Sequence, residues 1–127
     1  MTNNKTHRRI LVVDDEPDVN ITLKLALEAE GFDVDTFDNP RLALSSFKPD
    51  YYDLLLLDIK MPGMNGFEFY REIKKIDDTI KVCFLTAAEF TRHEDFLKEN
   101  LEITADCFAH KPILLDELAK LIRDQLK

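Results

Sequence analysis

Short, nearly continuous apolar runs alternate along this chain with longer stretches in which apolar residues return every three or four positions. The runs are Arg9–Val13 (RILVV), Phe32–Phe37 (FDVDTF), Asp53–Leu57 (DLLLL), Lys81–Thr86 (KVCFLT) and Asp106–His110 (DCFAH). Hydrophobicity this continuous suits strands buried on both faces, as when helices cover both sides of a parallel sheet. The intervening segments Asp18–Glu30, Pro40–Phe47, Gly66–Ile76, Arg92–Asn100 and Ile113–Leu126 carry the helical period. Parallel neighbours are joined only by crossover connections, so strict strand–helix alternation predicts a doubly wound α/β domain.

Local punctuation agrees with these boundaries. Pro17 suits the first turn of a helix, and Gly31 stands where a helix C-terminal cap belongs. Pro49 separates a helix from the third strand, and Pro62, Gly63 and Gly66 fill the loop behind it, where glycine opens positive φ. In the last helix, Leu114, Leu115, Leu118, Leu121 and Ile122 form one apolar stripe, read as core packing. Phe67, Phe69 and Tyr70 are read in the same way, as packing of the third helix. No internal repeat or low-complexity segment interrupts the pattern.

Length and charge narrow the class. A chain of 127 residues reads as one domain able to bury a core without staples, here residues 9–127 behind a disordered tail at 1–8. The tail, MTNNKTHRR, has no apolar stretch behind its basic residues and is not read as a secretion signal. No apolar run approaches the roughly 18 residues of a membrane span, so a cytoplasmic, membrane-free domain is expected. The net charge of −8 disfavours a general grip on nucleic acid, which needs a basic stripe against phosphates. Cys83 and Cys107 lie in apolar surroundings and are read as buried free thiols, while His7, His93 and His110 lack metal-ligand spacing and are read as surface residues.

The remaining polar residues of interest fall at strand ends. In an open parallel sheet the working site lies outside the carboxyl ends of the strands. The first strand runs into Asp14-Asp15-Glu16, the third into Asp58, the fourth into Thr86 and the fifth into Lys111-Pro112. Taken singly, each has an ordinary reading: acids complement a helix N-terminus, threonine suits a strand, lysine is solvated. Their convergence on one edge is harder to dismiss. Carboxylates so close repel, raising a pKa unless a cation intervenes. An all-oxygen donor set favours a hard ion such as Mg²⁺, and with no histidine or cysteine nearby zinc is a poor candidate. A lysine and a hydroxyl opposite such an ion could clamp phosphoryl oxygens, leaving a carboxylate as the nucleophile.

The segments ILVVDDEP, DLLLLDIKMPGMNGFEF, FLTA and ADCFAHKP, in this order, closely resemble response-regulator receiver domains of two-component signalling, notably single chemotaxis-regulator-like receivers. The resemblance covers nearly the whole chain. It implies a (βα)5, flavodoxin-like fold with strand order 2-1-3-4-5. It implies that Asp58 is the phosphoacceptor, that Asp14, Asp15, Asp58 and the backbone carbonyl of Lys60 hold Mg²⁺, and that Thr86 and Lys111 contact the phosphoryl group. Phe108 takes the position of the family's switch aromatic, paired with Thr86, and Lys111-Pro112 that of its cis peptide. Departures are Thr104 where glycine is common, a Thr86-to-Lys111 stretch about three residues longer than usual, and a basic Lys60 beside the phosphoacceptor.

The function implied is a phosphorylation switch rather than a turnover enzyme, one that assists its own phosphotransfer and slow dephosphorylation. The donor would be a sensor histidine kinase or a histidine phosphotransfer protein. The face made by Arg92–Asn100, the fifth strand and the last helix would report to an unknown downstream protein, with the domain a monomer or a weak phosphorylation-dependent dimer. It would work as a single receiver, a phosphorelay intermediate or part of a longer regulator. A Mg²⁺-dependent phosphatase is disfavoured, because such enzymes usually place the nucleophile after the first strand with a second aspartate two residues on. A receiver-like scaffold that never takes phosphate is disfavoured because every expected site residue is present.

Overall fold

The computed structural model describes residues 8–86, 107–111 and 114–126. Its elements run β1 (Arg9–Val13), α1 (Pro17–Ala29), β2 (Asp33–Phe37), α2 (Pro40–Ser46), β3 (Leu54–Asp58), α3 (Gly66–Ile76), β4 (Lys81–Thr86), β5 (Cys107–His110) and α4 (Leu115–Gln125). The five strands form one sheet in the order β2-β1-β3-β4-β5. Every pairing is parallel, with Ile10 beside Val34 and Leu54, Leu56 beside Cys83, and Phe84 beside Phe108. The doubly wound fold expected from the alternation is the fold observed. Residues 1–7 of the tail anticipated at 1–8, the helix over 92–100, Pro112, His7 and His93 lie outside the described residues, as do the side chains of Thr86, Cys107 and His110.

Side chains alternate across each strand and so divide the core in two. Ile10, Val12, Leu54, Leu56, Cys83 and Leu85 pack with Leu23 and Leu27 of α1 and Leu118 and Ile122 of α4. Leu11, Val13, Leu55, Leu57, Val82 and Phe84 pack on the other side with Ala43 of α2 and Phe69, Tyr70 and Ile73 of α3. Burying each such leucine or isoleucine removes it from water for roughly 1.5–3 kcal/mol. Phe67 and Tyr70 pack their rings against Phe84, each with centroids 5.7 Å apart.

Helix ends follow local chemistry. Pro17 opens α1, Asn39 accepts from the Arg41 and Leu42 amides at the start of α2, and Asn65 with Glu68 forms a reciprocal capping box on α3. Gly31 takes φ 98° just beyond α1, as its C-cap role requires. At the sheet end opposite Asp58, Asp50 adopts φ 62°, and its amide donates to the buried carboxylate of Asp77 at 2.9 Å. Asp77 also accepts from the amide and hydroxyl of Thr79 at 3.0 and 2.7 Å. Burial alone would raise its pKa, but the Thr79 hydroxyl and these amides hold it below the usual carboxylate range.

Three sequence expectations are corrected. The apolar stripe of α4 is only partly core: Leu118 and Ile122 are buried, whereas Leu114 and Leu115 are exposed, because they precede the turn that reaches the sheet. Gly66 has no positive φ; its lack of a side chain serves a close approach described below. Cys83 is disulfide-bonded rather than a free thiol. It is fully buried, and the β4–β5 register sets it opposite Cys107, the other cysteine of the chain. Apolar surroundings suit a thiol and a disulfide equally, so sheet pairing decided the matter.

Candidate functional site

Parallel register brings the carboxyl ends of β1, β3 and β5 to one edge, and their last residues or immediate successors are charged. Asp14 directly follows β1 and is completely buried. Its Oδ1 accepts from the Glu16 amide at 3.0 Å, and its Oδ2 accepts from Lys111 Nζ at 2.8 Å. Asp58, the last residue of β3, is also buried and lies 3.4 Å from the same ammonium. Glu16, exposed at the rim, adds a third carboxylate 3.6 Å from Lys111.

One ammonium among these acids leaves a negative surplus, which bears on Asp58 and Lys111. Burial, then the Asp14 carboxylate, push the pKa of Asp58 up to about 7, even though Lys111 pulls the other way. For Lys111, burial works against the charge, but the hydrogen bond and attraction to Asp14, with help from Asp58, raise its pKa overall. Oxygens of Asp14, Asp15 and Glu16 lie within 4.8 Å of one another. A set of carboxylate oxygens, with a neighbouring aspartate half-protonated near neutrality, fits a hard divalent cation and would be relieved by one.

Backbone packing behind Asp58 is equally tight. The Gly66 amide donates to the Ile59 carbonyl at 2.7 Å, so α3 begins directly against the end of β3. A Cβ at Gly66 would stand 2.4 Å from the Asp58 carbonyl oxygen and 2.9 Å from Ile59 Cα. Only glycine fits there. Just past Asp58, Lys60, Met61, Pro62 and Asn65 line a cleft of about 420 Å³.

Of the residues singled out from sequence, Asp14, Asp15, Asp58 and Lys111 thus gather at one edge. Thr86 ends β4 opposite His110, and the half-buried Phe108 stacks on Phe84 with centroids 5.6 Å apart. Lys60 is exposed in the loop after β3. The sequence reading did not assign the contact of Glu16 with Lys111, although the acidic run pointed to it, and gave no role to the buried Asn20.

Comparison with known proteins places this geometry among relatives. The family model described as "Response regulator receiver domain" matches residues 10–123. The chain is 32% identical over 120 residues to sporulation initiation phosphotransferase F of Bacillus subtilis, covering 94% of both proteins. It is 38% identical over 120 residues to a CpxR homolog of Haemophilus influenzae, covering 94% of this chain and 50% of that one. The chain spans about half the length of several curated relatives, such as 45% of the transcriptional regulatory protein TrcR of Mycobacterium tuberculosis. Among solved structures, it is similar to the non-phosphorylated HemR receiver domain of Leptospira biflexa, with TM-score 0.83 and 29% identity over 94% of both chains. It is also similar to the response regulator TrrA of Thermotoga maritima, determined in complex with Mg²⁺-BeF, with TM-score 0.76 and 36% identity over 94% of this chain and 99% of that one.

Proposed function

This chain belongs to the response regulator receiver domain family, and from that premise we propose that it is a phosphorylation switch whose acceptor is Asp58. The carrying observation is the Lys111 ammonium set between Asp14 and Asp58, 2.8 and 3.4 Å away, at the carboxyl edge of the sheet. A carboxylate oxygen of Asp58 attacks the phosphorus of a phosphohistidine on a sensor kinase or histidine phosphotransfer protein. The P–N bond breaks and the imidazole leaves. Mg²⁺, held by Asp14, Asp15, Asp58 and the Lys60 carbonyl, would neutralise phosphoryl oxygens and keep Asp58 ionised. Support comes from the clustered oxygens, and from the Mg²⁺-BeF complex of TrrA. Lys111 turns its ammonium to a phosphoryl oxygen, while the backbone contact at Gly66 holds the nucleophile still.

Phosphorylation adds a charge of about −1.5 to −2 at Asp58. Thr86 hydrogen-bonds the phosphoryl group and Phe108 follows, altering the face made by 92–100, β5 and α4. Such a group shifts a two-state equilibrium only by its differential affinity for the two states. The 32% identity to sporulation initiation phosphotransferase F supports a place in a phosphotransfer relay. Residues 9–127 form the receiver, cytoplasmic and monomeric or weakly dimerising, and it makes no nucleic-acid contact of its own. Among the described residues no helix is long and apolar enough to cross a membrane.

Incubation with acetyl phosphate and Mg²⁺, followed by intact mass measurement, should add one phosphoryl group to the wild type and none to Asp58→Asn. Incorporation in Asp58→Asn would move the acceptor elsewhere.

A further inference from the structure

Asn20 lies in the second turn of α1, almost completely buried, and the phosphoacceptor chemistry makes no direct use of it. Its Nδ2 donates to the Asp14 carbonyl at 2.8 Å and to the Phe37 carbonyl at 3.2 Å. The Phe37 carbonyl also accepts from the Asp14 amide at 3.2 Å, so one side chain ties the end of β1 to the end of β2. The backbone amide of the same residue donates to the Glu16 carbonyl at 3.2 Å. Residue 20 therefore grips the Asp14-Asp15-Glu16 turn at both ends.

From this geometry we propose that Asn20 is a positioning residue for the metal-binding acids, acting through the backbone of Asp14; the proposal rests on the Mg²⁺ reading above. The Asp14 carbonyl belongs to the rigid peptide plane joining Asp14 to Asp15. Holding that oxygen fixes the direction in which Asp15 leaves the strand and keeps Asp14 Oδ1 over the Glu16 amide. Asparagine is otherwise a poor choice here. It is a weak helix former, and among the described residues its buried Oδ1 has no hydrogen-bond partner. An apolar residue would avoid that unmet acceptor but would take the side-chain donor from the Asp14 carbonyl and leave the Phe37 carbonyl to the Asp14 amide alone. A local rule broken beside a site, with a compensating contact to the site, marks a residue kept for positioning. Being neutral, the amide does this without adding a second ammonium to compete with Lys111 for the acids.

The test uses the full chain, with Mg²⁺ alone as the probe. Affinity is read by calorimetry and backbone amide shifts in Asn20→Leu, which is close in size, and in Asn20→Ser, which is milder and carries the test should the leucine variant not fold. Asp77→Ala, at the opposite end of the sheet, serves as a destabilised control. Supporting partners of metal ligands typically contribute tenfold or more to affinity, so Asn20→Leu should weaken Mg²⁺ by about tenfold and Asn20→Ser by less. The amides of Asp14, Asp15 and Glu16 should already be displaced before metal is added, whereas Asp77→Ala should keep the wild-type affinity despite its lower Tm. Affinity within about twofold of wild type in the folded Asn20 variants would overturn the proposal, as would an equal loss in Asp77→Ala. A wild-type chain that takes up no Mg²⁺ would overturn the metal reading, and the metal-free shifts of the three amides would then decide whether Asn20 holds Asp14.

Discussion

Replacing Asp58 by asparagine should stabilise the metal-free protein, by an amount that depends on pH. Folding moves the Asp58 carboxyl from a pKa of 3.8 up to about 7, chiefly through burial and the neighbouring Asp14. Each unit is worth about 1.36 kcal/mol, so the ionised group costs the fold at most about 4 kcal/mol. Relaxation of the exposed rim reduces this, and asparagine keeps an oxygen for Lys111, so a gain of about 1–3 kcal/mol at pH 8 is expected. The sign follows from linkage. The folded state binds this proton more tightly than the unfolded chain, so the penalty is absent below about pH 4, builds up to about pH 7 and is constant above. Melting curves at pH 8 in EDTA should show Asp58→Asn higher in Tm by about 4–10 °C, with the gap narrowing as pH falls. Saturating Mg²⁺ should also narrow it, because the ion relieves the same repulsion in the wild type. A gap independent of pH, or a less stable Asp58→Asn at pH 8, would refute the electrostatic account.

Asp77→Asn should lower stability by about 1–3 kcal/mol at neutral pH, since a charged acceptor of several donors is lost. Because the folded pKa of Asp77 is depressed, its contribution is present above the unfolded carboxylate pKa and disappears as pH falls through the folded value, so the variant's acid-unfolding limb should be flatter in a pH titration of Tm. Gly66→Ala should lose more than about 2 kcal/mol in urea unfolding and slow acetyl-phosphate labelling, because its Cβ cannot share space with the Asp58 carbonyl. Unchanged stability there would mean that α3 can retreat without consequence. Thr86→Ala should still accept phosphate at Asp58 yet show smaller beryllofluoride-induced amide shifts around Phe108, as one differential contact of about 1–3 kcal/mol is gone. Equal shifts would remove Thr86 from the relay.

Much of this architecture is legible locally. Strands buried on both faces must be apolar throughout, so LLLL before Asp58 and ILVV before Asp14 announce a covered parallel sheet. The carboxyl-edge rule then points to the acids and to Lys111 before any contact is known. Helix starts are equally local, since the proline at residue 17 acts within its own turn. What stayed hidden depends on partners remote in the chain. Lys111 chooses Asp14 as its closest acid across 97 residues. The Cys83 bond depends on which strand lies beside β4. Gly66 read as a turn residue, because a clash with the Asp58 carbonyl exists only once α3 is folded against β3. Leu114 and Leu115 share the helical period of Leu118, but the point at which α4 meets the sheet leaves them in solvent. Asn20 looked like an ordinary polar residue on a helix; only the meeting of β1 and β2 turns its amide toward Asp14 and Phe37. Periodicity is a property of neighbours along the chain, whereas register, close approach and charge pairing arise from neighbours in space.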